Sequence, residues 1–353
     1  ELRMLSASKH MIISAQASKP NMAIVQDSLL GAYRMTKGTQ KMRKDQFFNI
    51  AMKLEMTSQD ILDRIQHIRR VLKQKGKKTQ CFNGKGLVSL ILPDDLIYER
   101  RNGADTDEPI VKIYRGVMYE GTLDKSILGA SHNSLIQIMF KEYGVDAAAS
   151  FIDGIQFVTN NWLLISGFSV GIADCLTRDD DQEQKIADVI QKCLYEAEGI
   201  KTTTTHPGIR ELRITAALSK AKDIGLRIAK DALSSDNNFL STVHSGSKGD
   251  FFNIAQITGL LGQQNLKGAR VESVLNHGKR TLPHYPLEGL TVEEEYESRG
   301  FISSSFIKGL NPKEFYFHAM SGREGICDKL VSQTAGCLIF EGKQCFLLVL
   351  LFL

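Results

Sequence analysis

The chain has 353 residues, about two or three domains' worth. At 42% apolar and 24% charged residues it can bury a sizeable core, which excludes global disorder. A net charge of +4 permits a polyanionic partner without demanding one, because clustering of charge matters more than its sum.

The opening residues carry a helical pattern, Leu2, Leu5, Lys9, Ile12 and Ile13, with no charged and apolar leader of the signal-peptide kind. A break at Lys19-Pro20 and the basic stretch RMTKGTQKMRKDQFF follow. Thr57-Ser58 caps an amphipathic helix whose apolar face is Ile61, Leu62, Ile65, Ile68, Val71 and Leu72. Its end, KQKGKK, reads as a solvated terminus or as a phosphate contact. Between residues 86 and 123 the runs GLVSLILP and PIVKIYRGVMYEGTL read as short strands around the turn-rich RRNGADTDEP. Helical periodicity returns from Asn133 to Trp162 through Leu135, Ile136, Met139, Ala147, Ala148, Phe151 and Ile155.

SGFSVGIADC, Ser166 to Cys175, predicts a tight turn with close backbone approach. Asp179, Asp180 and Asp181 then open a helix, where acids suit the dipole; its apolar face is Ile186, Val189, Ile190, Cys193, Leu194 and Ala197. After the loop TTTTHPG a second helix has the stripe Ile214, Leu218, Ala221, Ile224, Ile228 and Ala232, so the two form an antiparallel hairpin. Arg210, Arg213, Lys220, Lys222, Arg227 and Lys230 on that helix make a solvated face, or a charged channel in a nucleic-acid machine.

SGSKGDFFNIAQITGLLGQQNLKGARV, Ser245 to Val271, sits among helices yet is rich in glycine and carboxamides. Gly246 and Gly249 free the backbone, and Lys248 would project as a point charge suited to phosphate. Gln263, Gln264 and Asn265 add donors and acceptors. The alternative is a plain helix–loop–helix corner whose amides cap helix ends. In the stretch Arg299 to Gly325, Asn311 is an N-cap, Pro312 stands at the first helical position and Glu314 completes a capping box. Phe315 and Phe317 read as core packing, His318 as a half-buried histidine and Arg323-Glu324 as a local pair. Gly322 and Gly325, after Met320 and Ser321, cost about 1 kcal/mol each inside a helix, so the helix bends there or something packs against its backbone.

No GxxxxGK[ST], no GxGxxG after a strand and no HExxH occurs, and the paired carboxylates are surface runs such as 179–181 and 293–295. No nucleophile comes with its base. The six cysteines, Cys81, Cys175, Cys193, Cys327, Cys337 and Cys345, lack CxxC or finger spacing, which reads as reduced intracellular thiols and no metal site. The final CFLLVLLFL is too short for a bilayer, which needs about 20 residues, so no membrane partner is expected, and both ends read as cut from a longer chain. The fold class is α+β, mostly helical, in several modules.

Taken in order, these clusters resemble the largest subunit of the multisubunit DNA-directed RNA polymerases, the eukaryotic and large-DNA-virus versions, asfarvirus-like ones among them. The family's funnel run GSKG…NI.Q…GQQ…G.R is matched by Gly246 to Gly249, Asn253-Ile254, Gln256, Gly262 to Gln264, Gly268 and Arg270. Its RTLPH is matched by Arg280 to His284. Its bridge-helix run is matched by Gly309-Leu310, Pro312, Glu314-Phe315, Phe317 to Met320 and Gly322 to Gly325. KPNMAIVQDSLLGAYRMT, GTLDKSILGASHNSLI and NNWLLISGFSVGIADC are similar to the segment after the metal loop, the pore domain and the funnel entry.

The resemblance implies five segments: 1–80 after the metal loop, 81–160 a pore-like module, 161–310 a helical funnel, 311–328 the start of the bridge helix, and 329–353 a divergent tail. It implies that Lys248 and Ser247 face nucleotide or the pore, and that Gln263, Gln264, Asn265 and Arg270 support a bridge helix carrying Pro312, Glu314, Phe315, His318, Met320, Gly322, Arg323 and Glu324. It implies nucleotidyl transfer from NTPs to RNA, with Mg²⁺ in the intact enzyme. The partners implied are the second-largest and other polymerase subunits, template DNA, RNA and NTPs. The setting implied is intracellular: the nucleus, or a cytoplasmic viral factory or virion. The family's NADFDGD loop, whose aspartates hold Mg²⁺, and its trigger-loop TGY…RR pattern are absent from these residues, so the chain alone is expected to hold no metal and to be inactive. The other reading is a non-catalytic, integrated or frameshifted viral remnant.

Overall fold

A computed structural model describes residues 1, 3, 6–38, 41–77, 81–101, 110–176, 182–234 and 236–332. The chain divides into two compact units, Glu1–Gly171 with Ser235–Asp250, and Ile172–Ser234 with Phe251–Leu353.

The first unit starts with a 3₁₀ turn, Ser8–Met11. The helix expected to run on through Ile12 and Ile13 does not form. The chain folds back instead: Ser14 N–H bonds Lys19 O at 2.8 Å, Asn21 N–H bonds Ile12 O at 2.8 Å, and Ile12 is buried. Leu2 and Leu5 lie outside the described residues. Helices α1 (Gln26–Thr36), α2 (Lys44–Ala51) and α3 (Ser58–Gln74) follow. Thr57 and Asp60 close a capping box on α3, whose Ile61, Ile65, Ile68, Val71 and Leu72 are buried; Leu62 stays exposed beside that stripe.

GLVSLILP, expected as a strand, is helix α4 (Gly84–Ile91). A short unbroken apolar run carries no period, so it cannot distinguish strand from buried helix. What decides is the Asn83 side chain, which accepts from Gly86 N–H at 2.8 Å and starts the helix. Close approach adds to it, because a Cβ on Gly84 would sit 2.0 Å from the Met35 carbonyl oxygen. Strands β1 (Tyr98–Arg100), β2 (Val111–Tyr114) and β3 (Val117–Glu120) make an antiparallel sheet in that order. Arg115 (φ 47°) and Gly116 (φ 67°) form its two-residue turn, the left-handed pair that suits strand twist. Residues 102–109, the expected loop, lie outside the described residues. Helices α5 (Lys125–Leu128) and α6 (Leu135–Ile138) precede a π-helical turn, Met139–Tyr143; α7 (Val145–Ser166) then ends at Gly167 with φ 66°.

The second unit opens with α8 (Ile172–Cys175), then the long α9 (Gln182–Thr203) and α10 (Pro207–Ala232). These two pack as the expected hairpin: Cys193, Leu194 and Ala197 share a buried cluster with Ile214, Leu218 and Ala221. Residues 179–181 and the side chains of Ile228 and Ala232 lie outside the described residues. Helix α11 (Asn238–Ser245) belongs to the first unit. Then come α12 (Phe251–Thr258), β4 (Gly262–Gln263), β5 (Asn265–Leu266), β6 (Ala269–Arg270), α13 (Val292–Ser298), β7 (Phe301–Ile302) and α14 (Pro312–Ile326). β4 pairs with β7, and β5 pairs with β6. The architecture is α+β and mostly helical. Among the described residues no helix is long and apolar enough to cross a membrane; CFLLVLLFL lies outside them.

Candidate functional site

Helix α14 and the β4–β6 stretch of the second unit meet along a line of polar contacts. The helix begins as its sequence dictates: Asn311 accepts from Glu314 N–H at 2.8 Å, Glu314 returns a bond to Asn311 N–H at 3.0 Å, and Pro312 occupies the first turn. Phe317, with Met320 beside it, anchors one side in a cluster with Val271 and Tyr285. Gln264 Oε1 lies 3.3 Å from His318 Nδ1, Ser321 Oγ donates to the Asn265 carbonyl at 3.4 Å, and the Lys267 backbone N–H donates to Glu324 Oε1 at 2.7 Å. Residues 318, 321 and 324 recur every three positions, so one helix face takes all three tethers. Lys267 (φ 51°) and Gly268 (φ 78°) form the left-handed turn that presents the 267 N–H. The carboxylate that meets it is Glu324, so the expected Arg323-Glu324 pair is replaced by a contact to the main chain.

Gln263 and Gln264 are buried. Gln263 Nε2 donates to the carbonyls of Gln264 (2.8 Å) and Arg299 (2.9 Å), and Gln264 Nε2 donates to Gly262 O at 3.3 Å. The carboxamides thus stitch β4 to the chain that precedes β7. Gln263 Oε1 and Asn265 Oδ1 are buried without a hydrogen-bond partner among the described residues. The Arg270 guanidinium binds both carboxylate oxygens of Glu211 on α10 at 2.8–2.9 Å. Burial holds the His318 imidazole below its ordinary pKa, and the Phe306 ring meets it edge-on at 5.5 Å.

The opposite side of α14 is open. Phe315 (62% exposed) and Tyr316 (51%) project outward. The core role expected for Phe315 is therefore wrong, while Phe317 fills it. Phe315 lies two positions before Phe317, about 200° round the helix, so it falls outside the buried stripe. Nothing among the described residues lies within 4 Å of a Cβ built on Gly322 or Gly325, so the expected backbone neighbour is not within this chain's described part. Arg323 is exposed.

In the first unit, the SGSKG loop closes α11. Gly246 is left-handed (φ 72°), and the Thr242 carbonyl accepts from Ser247 N–H (3.2 Å), Ser247 Oγ (3.1 Å) and Lys248 N–H (3.4 Å). Ser247 is consumed by this cap; the Lys248 side chain is exposed. Among the described residues no group of three His, Cys, Asp or Glu side chains converges as a metal site.

The sequence matches two consecutive family descriptions, "RNA polymerase Rpb1, domain 3" over residues 11–175 and "RNA polymerase Rpb1, domain 4" over residues 182–302. The chain belongs to the RNA polymerase Rpb1 family. The two matches meet near the passage from α8 to α9. Among curated relatives, a probable DNA-directed RNA polymerase II subunit RPB1 homolog of Invertebrate iridescent virus 6 is 47% identical over 94% of this chain and 34% of its own length. The RPB1-A and RPB1-B subunits of Trypanosoma brucei brucei are each 34% identical over 90% of this chain and 18% of theirs. This Rpb1-family chain therefore spans about a third or less of the curated relatives it matches. Sequence reasoning missed Glu211, Lys267, Ser321 and Phe306. The first is one exposed-looking acid among many, the second acts through its main chain, and neither leaves a residue-type signal.

Proposed function

We propose that the chain forms the pore, funnel and leading bridge-helix region of the largest subunit of a DNA-directed RNA polymerase, the enzyme that transfers nucleotides from NTPs to RNA. In that reading residues 81–160 are pore-like, 161–310 funnel-like and 311–328 the bridge helix. The observation that carries it is α14, tethered on one side through 318, 321 and 324 and open on the other through Phe315, Tyr316 and Gly322. A helix so held suits a surface on which template, RNA and product move. Gln264 and Asn265 support it directly, Gln263 acts through its bonds to Gln264 and Arg299, and Arg270 acts indirectly by fixing β6 to α10. Lys248 supplies an exposed cation for phosphate. The partners are the second-largest and other polymerase subunits, DNA, RNA and NTPs, in the nucleus or a viral factory or virion. Mg²⁺ belongs to the aspartate loop of the assembled enzyme, since no NADFDGD run is present here.

The test is co-expression of the tagged chain with a matching second-largest subunit. A stoichiometric complex is expected. Aggregation of the chain with no complex would overturn the proposal and favour a non-catalytic viral remnant.

A further inference from the structure

A cavity of about 620 Å³ lies within the second unit, between α9, α13 and the chain after β7. That volume is in the range of about 300–1,000 Å³ typical of small-molecule sites. It is separate from the α14 cradle: Ser303, Ser305 and Ile307 line it, while Phe306 between them meets the His318 ring. Its floor is apolar, with Ile186, Leu194 and Phe301 buried and Ile190 half-buried. One wall is charged. Glu293 and Glu297 stand one turn apart on α13 and both line the cavity. Glu297 is engaged by Lys313 Nζ at 3.4 Å and by the Asn311 amide at 3.3 Å. Glu293 is exposed and makes no ion pair among the described residues. Lys308 is the single cation among the described lining residues, against two carboxylates. Cys175 stands at the rim, where burial and then the Asp174 carboxylate push its thiol up, so that at neutral pH it adds no charge.

We infer that this cavity binds an amphipathic organic cation, its aryl or alkyl body against Ile190, Leu194 and Phe301 and its ammonium at Glu293. An anion of the same shape meets the unpaired Glu293 carboxylate and binds more weakly than the cation; a neutral analogue keeps the apolar contact and loses the charged one. The inference rests on the second unit's own geometry and stands whether or not the polymerase reading holds.

The full chain is treated with 4-phenylbutylamine, 4-phenylbutanol or 4-phenylbutyrate, then with iodoacetamide, and modification is followed thiol by thiol by peptide mass spectrometry. The amine should slow alkylation of Cys175 saturably and leave the exposed Cys327 unchanged. It should act at about fivefold lower concentration than the alcohol, the advantage of one partly exposed ion pair. Glu293→Gln, a surface change that leaves the fold intact by circular dichroism, should erase that advantage. Ile190→Trp should fill the cavity and abolish protection. Equal action of amine and acid, an unaltered advantage in Glu293→Gln, parallel slowing at Cys327, or no protection of Cys175 by the amine would each overturn the inference.

Discussion

His318 shows how tertiary packing tunes one side chain. Its imidazole lies between the Phe306 ring and Gln264 Oε1, and burial lowers its pKa from the ordinary value of about 6.5. The unfolded chain therefore binds the proton at a higher pH than the folded chain. Stability is full above about 6.5 and is lost as pH falls from there toward the lower folded pKa. An NMR titration should place the His318 midpoint below about 6.5, and His318→Asn should flatten stability against pH in this window. Arg270 tests the other kind of buried charge. Its side chain is 4% exposed and Glu211 is its partner, so Glu211→Ala strands a buried guanidinium and should cost about 1–3 kcal/mol in denaturant unfolding. The residue types Gln263, Gln264 and Arg270 were visible as candidates from sequence. Their partners were not, because Glu211 and Arg299 come from distant segments whose approach no local pattern encodes.

At the level of elements, legibility followed periodicity and capping. Helix α3, the α9–α10 hairpin and the start of α14 were readable because each combines a polar cap with an apolar stripe at helical spacing. The β2–β3 hairpin was readable from alternation around a Gly turn. Helix α4 was misread as a strand, since GLVSLILP, apolar but for Ser89, is too short to show a helical period and the cap at Asn83 decides its conformation locally. Helix α14 yields a prediction that separates folding from assembly. A Cβ on Gly322 meets open space, and replacing a helical glycine by alanine is worth up to about 1 kcal/mol. Gly322→Ala should therefore raise the melting temperature of the isolated chain. In an assembled polymerase the same variant should slow transcript elongation if the open face needs close approach or bending.

For the whole molecule, two family matches in sequence order and a helical α+β architecture agree with each other. The chain carries no NADFDGD run and, among its described residues, no converging metal ligands. If, as proposed, catalysis belongs to the assembled subunit, the isolated chain supplied with template, NTPs and Mg²⁺ should synthesise no RNA above background, measured by incorporation of labelled nucleotide; incorporation by this chain alone would sink that assignment.

By itself the sequence determined the family, the helical character and the starts of α3 and α14, because motif order, apolar period and caps are local properties that chain order preserves. Tertiary structure alone decided that Phe317 is core and Phe315 is not, that Glu211 holds Arg270, and that Glu293 and Glu297 wall an apolar cavity. Each depends on which distant surface arrives to exclude water or to pair a charge, and burial of that kind is a property of the packed chain.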